Sequence, residues 1–439
     1  MKNGYLYDIY CHYLNKSMKI IISFLAVFLF MPMGVFSITL DDAIQKAIGV
    51  SLPIKEQKET VKSREYSYIS TIDPYLPQID IKGSYTRYLN DVSKQSTGTG
   101  INIGRDAYGA TGSVSYRLFD GGLRYAQRKG AYSLMGKELE KLEGIKVDVL
   151  YYVKNAFFSA LGKKTVVEKR QEAYETAKKV YDLTNGRFEE GVAKKSDVLQ
   201  AEVQASAAMI DVVDAQTDYA KALEDLKSLL LIDPDEEENV EGILEIPDFQ
   251  ENYEKLVQWA INKRPDVAAQ TKEVERLNMV YKEKKSEWFP KIDAHLQQQR
   301  QDKTFFPDGR QDTFMLNFTF PVFDGVGRYY NVQGASKDVQ AAKFKLEEIK
   351  RNVKLDIIKA YKDYKLSLES IRMYSELLRQ AVSNFDQAFG EYKAGKGDIL
   401  SLLQAEKDWA KAKENLVISM YKSNNALAFL EKVSYWSEN

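Results

Sequence analysis

Two stretches of this 439-residue chain carry the same unusual turn and the same residues after it. LFDGGLRYAQRKGA begins at Leu118, and VFDGVGRYYNVQGA begins at Val322. The shift between them is 322 − 118 = 204 residues, and the same shift carries Gly191 onto Gly395. The match runs from Leu118 to Glu202 without a gap. A repeat of this length predicts that the chain folds as two copies of one structural unit.

The two copies also share the order of their predicted elements. Upstream, YLPQID from Tyr75 faces WFPKID from Trp288, with a small change of register, 290 − 77 = 213. Each copy begins with a predicted helix, from Leu40 to about Ile72 and from Leu256 to about Trp288. A Pro, two alternating stretches, the FDG turn, a very long helix, a Gly-containing turn and a second helix follow. The predicted boundaries are 38–232 for the first repeat, 233–252 for an equatorial linker and 253–439 for the second repeat.

Residues 1–37 are predicted to be a signal peptide. Lys19 precedes the apolar run Ile20–Phe36, and a small-residue pattern places the cleavage after Ser37. A membrane anchor is the alternative, but the run is short for a spanning helix and is broken by a Pro and a Gly. The only Cys, Cys11, lies in this segment, so no disulfide framework is expected.

The stretches that follow each Pro alternate with the period of a β-strand. Phe314, Leu316 and Phe318 lie on one side of such a strand, with Asn317 and Thr319 on the other. A soluble sheet packed on helices and a lipid-facing barrel with a wet interior both fit this pattern. The length of about ten residues per strand favours a tilted membrane strand.

Four such strands per chain are too few to close a barrel. Lipid does not tolerate open sheet edges, because unpaired backbone groups have no water to bind there. If the strands lie in a membrane, several chains must therefore share one barrel. Two chains would supply eight strands and a filled interior, whereas three would supply twelve strands and room for a pore.

The predicted long helices exceed the size of an ordinary globular core. Arg124–Asn185 and Arg328–Phe389 contain no Pro, and each would span about 90 Å. Leu142, Ile145 and Val149 follow the spacing of a coiled-coil seam. A free-standing dimeric coiled coil is one alternative. Two shorter helices stacked end to end match one long helix, which favours an elongated barrel of helices.

The repeated turn is predicted to join strand to helix. Its residues have structural tasks: an Asp caps the long helix, a Gly adopts unusual backbone angles, and a Pro ends the preceding helix. A catalytic role for the two Asp is the less favoured alternative. The residues concerned are Asp120, Gly121 and Pro77 in the first copy and Asp324, Gly325 and Pro290 in the second.

Over essentially the whole chain after residue 37, these features resemble the TolC-type outer-membrane efflux channel family. The resemblance rests on two P-x-[IL] strand starts, two FDG-x-x-R turns, and the tips RFEEGVAKKSDVLQAE from Arg187 and EYKAGKGDILSLLQAE from Glu391. It implies a mainly α protein with membrane β: a homotrimer whose 12-stranded barrel lies in outer-membrane lipid and continues as an α-helical barrel across the periplasm. The implied function is a passive exit duct that docks a periplasmic adaptor (a membrane fusion protein) and an inner-membrane pump.

The resemblance also implies a gate at the two tips. A Tyr at the place of Tyr392 bonds an Asp at the place of Asp197, with Ser196 as a polar neighbour. The Arg that the family carries in the second tip falls at Gly397, so one closing link is expected to be missing. Capping of the following helix by Asp197 and simple packing of Tyr392 are the structural alternatives.

Acidic rings found in some relatives would fall at Ser401 and Gln404, neither of which is acidic. Asp398 is expected to replace them in part, since three carboxylates around a narrow axis attract cations. The turns themselves are the predicted adaptor-docking surface, because a helix that docks in a groove needs apolar positions there. Its predicted residues are Arg187, Phe188, Gly191, Val192, Leu199, Gly395, Leu400 and Leu403.

Other function classes find little support in the sequence. Of two His residues, one lies in the predicted signal segment, and neither H-E-x-x-H nor G-x-S-x-G occurs. No enzyme activity, cofactor or metal is therefore expected. Charge is nearly balanced, with 62 Lys and Arg against 63 Asp and Glu, which is not typical of a nucleic-acid binder. A periplasmic coiled-coil scaffold or adaptor without a pore remains the alternative, and within transport both efflux and type I secretion remain open.

Overall fold

The computed structural model describes residues 36–87, 89, 106–302 and 304–436. The predicted signal segment lies outside them, apart from Phe36 and Ser37. The helices described are α1 (Leu40–Val50), α2 (Leu52–Ser70), α3 (Leu123–Glu189), α4 (Lys195–Leu229), α5 (Tyr253–Lys263), α6 (Pro265–Ser286), α7 (Gly327–Lys393) and α8 (Ile399–Ser434). The strands described are β1 (Phe36–Ile38), β2 (Gln78–Arg87), β3 (Asp106–Phe119), β4 (Glu238–Val240), β5 (Lys291–Asp302) and β6 (Arg310–Thr319).

The two long helices are confirmed. Helices α3 and α7 contain 67 residues each, so each is about 100 Å long. Their bounds, Leu123–Glu189 and Gly327–Lys393, are themselves related by the 204-residue shift. Within the described ranges, no helix is both long and apolar enough to cross a membrane.

The prediction of one continuous helix at the start of each repeat is wrong. Helix α1 ends at Val50, and α2 starts afresh with Pro53 in its first turn. Likewise α5 ends before Arg264, whose extended backbone (φ −64°, ψ 132°) precedes Pro265. The ring of a Pro disfavours helical geometry in the residue before it, yet fits the first turn of a new helix. Pro265 therefore both ends one helix and starts the next, whereas at Pro53 the break lies two residues earlier, at Ser51 (φ −47°, ψ 120°).

The chain divides into two compact units, and each takes segments from both repeats. The hairpin unit comprises Met1–Lys46, Ala156–Glu245 and Leu378–Tyr421, and it contains the two turns between long and short helices. The sheet unit comprises Ala47–Asn155, Ile246–Leu377 and Lys422–Asn439. This division follows contacts in space, so the sequential repeat boundaries at 38–232 and 253–439 stay a prediction.

The four predicted strands are confirmed in the sheet unit. They form one antiparallel sheet in the order β2-β3-β5-β6. Ile79 lies opposite Val114, Val114 opposite Leu296, and Leu296 opposite Phe314. Directly opposed residues point to the same face, so an apolar row crosses the whole sheet. Ile79 and Phe314 are each 71% exposed.

The other face of the sheet is polar. Asp80 lies opposite Ser113, Ser113 opposite Gln297, and Gln297 opposite Thr313. Near the helix-proximal end of the sheet, Arg117 Nε donates to Asp293 Oδ1 at 2.8 Å. The period-two pattern therefore assigned the two faces correctly.

The FDG turns lie where the sheet meets the long helices. In the first, Asp120 Oδ1 accepts from Gly122 N at 3.0 Å, and Oδ2 accepts from Arg124 N at 3.1 Å. Gly121 and Gly122 both have positive φ, +66° and +90°. These angles fold the chain back so that Asp120 reaches the free N–H groups at the start of α3, which confirms the predicted cap.

The second FDG turn corrects the prediction for Asp324. Its carboxylate accepts from Arg328 Nε at 2.7 Å, and it bonds no backbone N–H in the described chain. Gly325 has φ +94°, as predicted, but the next residue is Val326 where the first copy has Gly122. A β-branched residue resists positive φ, so this turn does not bring the carboxylate over the helix start.

The Arg of each FDG-x-x-R turn joins the start of the long helix to the segment that precedes β2 in the first repeat and β5 in the second. The sequence pattern alone did not reveal this role. The Arg124 guanidinium lies 4.9 Å from the centre of the Tyr75 ring, and Arg328 lies 4.7 Å from that of Trp288. Tyr75 and Trp288 are the matching residues two places before Pro77 and Pro290. Nη1 of Arg124 also donates to the Pro74 carbonyl at 3.0 Å. Cation–π contact and hydrogen bonds thus close both junctions in the same way.

Two further contacts involve the predicted linker. In the sheet unit, Phe249 N donates to the Tyr364 hydroxyl at 3.1 Å, and that hydroxyl donates to the Pro247 carbonyl at 2.9 Å. In the hairpin unit, β1 pairs in parallel with β4, a pairing that sequence analysis missed because each strand has only three residues. The linker is therefore held by side chains and backbone.

Candidate functional site at the helical hairpin turns

The two hairpin turns have the same backbone design. After α3, Gly191 has φ +77°, and Val192 N donates to the Arg187 carbonyl at 2.8 Å. After α7, Gly395 has φ +76°, and Lys396 N donates to the Glu391 carbonyl at 2.9 Å. A left-handed Gly with such a bond back into the last turn is the usual helix C-terminus. The predicted turn role of both glycines is confirmed.

Arg187 joins the two turns. Its Nη1 donates to the carbonyls of Tyr392 at 2.7 Å and Lys393 at 3.2 Å, the last residues of α7. The guanidinium also lies 4.9 Å from the centre of the Tyr392 ring. A cation at a helix C-terminus satisfies free carbonyls and opposes the negative end of the helix dipole. Sequence analysis had placed Arg187 on the docking surface and missed this bond.

Tyr392 is buried, with 4% of its surface exposed. Its hydroxyl donates to Thr184 Oγ1 at 3.3 Å, and Thr184 in turn donates to the Val180 carbonyl. The ring belongs to a small apolar cluster with Val180, Ile399 and Leu402. Packing and a hydrogen bond to α3 therefore both hold Tyr392 in place.

The hydrogen bond expected between Tyr392 and Asp197 is absent from the described chain. Asp197 instead accepts from Lys194 N at 3.3 Å and from Ser196 Oγ at 3.2 Å. The carboxylate of Asp197 bonds groups at the start of its own helix, and the hydroxyl of the buried Tyr392 bonds Thr184. For Asp197 the capping interpretation is confirmed, although it acts from the third helical position rather than from the cap itself.

Asp398 lies in the second hairpin turn, directly before the first residue of α8. It accepts from Ser401 N at 3.0 Å and from Ser401 Oγ at 2.6 Å, and these bonds lower the pKa of its carboxyl. Gln404 donates to Asp408 at 2.9 Å. A Cβ at Gly397 would lie 3.0 Å from Tyr392 N, so a larger residue there would need the turn to shift. In the described stretches no three His, Cys, Asp or Glu residues are grouped to hold a metal.

The apolar residues predicted for docking divide into two groups. Val192, Leu199 and Leu400 are exposed by 64%, 49% and 62%. Leu403 packs against the Tyr392 cluster instead. Phe188 is 38% exposed, with Lys195 Nζ 5.5 Å from the centre of its ring. Exposed apolar side chains thus lie at both turns, available to a partner.

A mainly helical chain with one four-stranded sheet and two long hairpins is the fold of known outer-membrane channels. The outer membrane protein VceC of Vibrio cholerae matches with a TM-score of 0.77 and 16% identity, over 90% of this chain and 95% of that one. The MtrE channel of Neisseria gonorrhoeae, in its open state, matches with a TM-score of 0.75 and 18% identity over 90% and 88%.

The sequence comparisons identify the family. The family described as Outer membrane efflux protein matches residues 43–230 and 256–434, and this chain belongs to it. Protein CyaE of Bordetella pertussis is 24% identical over 86% of this chain and 80% of its own length. The alkaline protease secretion protein AprF of Pseudomonas aeruginosa is 20% identical over 81% and 76%. The chain is thus an outer-membrane protein of the efflux class.

Proposed function

We propose that three copies of this chain form a passive exit duct through the outer membrane, with a shared twelve-stranded barrel. The observation that carries the proposal is the exposed apolar row Ile79–Val114–Leu296–Phe314 on a sheet with two free edges. In the described chain, β2 and β6 each pair with a neighbour on one side only. Pairing β6 of one copy with β2 of the next satisfies both edges and turns the apolar face to lipid.

The polar face of the sheet would then line the pore. Asp80, Ser113, Gln297 and Thr313 form one row across it. Such a face is wettable, so it suits a water-filled passage. The family name supports efflux, whereas the name of the relative AprF, an alkaline protease secretion protein, supports protein secretion.

The hairpin turns would close the periplasmic end. In this proposal, Arg187 and Tyr392 hold the turns together, while Asp197, Ser196, Asp398, Ser401 and Gln404 surround the opening. A periplasmic adaptor would dock on Val192, Leu199 and Leu400, and an inner-membrane pump would supply the energy. Exposed apolar side chains at both turns, with Leu199 and Leu400 on the helices themselves, support an adaptor that docks as a helix.

Planar-bilayer recording tests the proposal together with mass measurement. In detergent the purified chain should have three times the mass of one copy, and in bilayers it should give small, steady currents. Tyr392→Phe should raise the current by removing the Thr184 bond, whereas Asp197→Ala tests whether the cap also acts in the gate. A monomer in detergent that conducts nothing would contradict the proposed duct.

A further inference from the structure

Glu406 carries a carboxyl group that is buried among apolar side chains. It lies on α8 in the hairpin unit, and only 1% of its surface is exposed. Ile399 and Leu402 precede it by seven and four residues, so they share its helix face. Both belong to the apolar cluster that surrounds Tyr392. Glu406 thus continues the buried seam that begins at the second hairpin turn.

The surroundings of this carboxyl provide little to stabilise a negative charge. Its Oε2 has no hydrogen-bond partner among the described residues, and the side chain of Gln204 on α4 bonds the group. Trp409, three residues further along the same face, stacks on Phe385 of α7 at 5.4 Å. Lys413, seven residues further along the same face, is paired with Glu172 of α3. An ionised, unpaired carboxylate in such a seam is costly.

The internal repeat provides a direct comparison. Leu403-Gln-Ala-Glu406 is the counterpart of Leu199-Gln-Ala-Glu202, related by the same 204-residue shift. Glu202 is exposed, whereas Glu406 is buried. The same four residues therefore place one carboxylate in water and the other in the seam. The difference lies in what packs on α8, because the local sequence is the same.

We propose that Glu406 is a proton-binding site that fastens the helical hairpins: the neutral acid lets α8 pack tightly, and loss of its proton loosens that packing next to Tyr392. A neutral carboxyl has one donor and can be buried at a much lower cost than its anion. The ligand of this site is the proton itself, and the periplasm exchanges protons freely with the medium.

Burial is the largest influence on this group and raises its pKa to about 7, whereas the Gln204 hydrogen bond lowers it. No charged side chain of the described chain contributes to the shift. The ordinary pKa of a Glu is 4.5. Because the packed state holds the proton more tightly than the open state, packing is strongest below pH 4.5 and weakens as pH rises toward 7.

Hydrogen exchange of the full-length protein in detergent, followed by mass spectrometry, tests the proposal. After correction for intrinsic exchange, opening of the segment 385–406 should increase about tenfold between pH 6 and pH 8. Glu406→Gln should abolish this pH dependence, since the amide is always neutral. Glu202→Gln is the matched control and should keep it. An unchanged pH response in Glu406→Gln would overturn the proposal.

A second variant and a second readout sharpen the test. Gln204→Leu removes the one hydrogen bond that favours the anion, so the midpoint of the opening should move to higher pH. An unmoved midpoint in this variant would contradict the assigned surroundings of Glu406.

The link to channel opening rests on the proposed function: currents should rise from pH 6 to pH 8 in the native chain and stay flat in Glu406→Gln. A protein that conducts nothing would count against the duct, whereas the exchange result would still decide the proton site.

Discussion

The Arg187 guanidinium donates to the backbone carbonyl of Tyr392 at 2.7 Å and lies 4.9 Å from the centre of its ring. One side chain thus holds both the end of α7 and the aromatic ring that packs against α3. The position that matches Arg187 in the other repeat is Glu391, whose carboxylate accepts from Gln387 within its own helix. The guanidinium that links the two turns is therefore supplied by the first repeat.

Arg187→Gln should loosen the hairpin turns more than Tyr392→Phe does. Phe keeps the ring and the backbone carbonyl, so it removes only the 3.3 Å bond to Thr184. A charge-assisted hydrogen bond contributes about 1.5–3 kcal/mol, so we expect at least about a tenfold shift toward the open channel. Single-channel open probability measures this shift. Glu391→Gln is the control. If Glu391→Gln and Arg187→Gln changed the open probability equally, the assigned role of Arg187 would be refuted.

Gly162→Ala should destabilise the hairpin unit. A Cβ at this position of α3 would lie 2.4 Å from Cδ1 of Tyr421 on α8. Overpacking of this kind costs about 1–3 kcal/mol, more than Ala gains in helix propensity. Gly186→Ala is the matched control on the same helix, because a Cβ there meets nothing within 4 Å. Thermal unfolding should show a lower Tm for the first variant and an unchanged or higher Tm for the second.

The ion pairs of Glu273 on α6 with Arg276 and Lys137 should make the free energy of unfolding depend on pH. The Arg276 side chain, followed by Lys137, lowers the pKa of Glu273 to about 2. A lowered pKa means that the folded state favours the carboxylate, so this stabilisation is present above pH 4.5 and is lost as pH falls toward 2. Glu273→Gln should therefore lower stability at pH 7 by up to about 1 kcal/mol, with a smaller effect at pH 2 to 3.

Urea unfolding at the two pH values measures this difference. The suitable control is Glu59→Gln, which removes an exposed ion pair with Lys62. If Glu273→Gln were equally destabilising at both pH values, the ion pairs would not be the source of the effect.

Repetition made most of the fold predictable. Because a 204-residue shift related two long segments, the weak local signal at Gly191 could be checked against its counterpart Gly395. The strands followed from their period-two alternation and the long helices from their Pro-free length, and the repeat showed that each of these elements occurs twice. Periodicity did not reveal the break before Pro265, since the helical pattern continues on both sides of it. Nor did it reveal the different behaviour of Asp324, which depends on the backbone freedom of the residue two places later.

The candidate site was less accessible to sequence reasoning. Tyr392 and Thr184 are 208 residues apart, and no local pattern connects them. The carboxylates of Glu202 and Glu406 stand in the same four-residue motif, yet one is exposed and the other is buried. What distinguishes them is the packing of neighbouring helices, which a single sequence does not display.

The one-sided contact of Arg187 has a consequence for symmetry. In the trimer proposed above, three chains with two matching hairpins each would present six similar helix pairs around a common axis. Because only the first hairpin of each chain carries the guanidinium, neighbouring pairs alternate between donor and acceptor. The narrow end of such a ring would have three-fold rather than six-fold rotational symmetry, and it would open by the movement of three identical units.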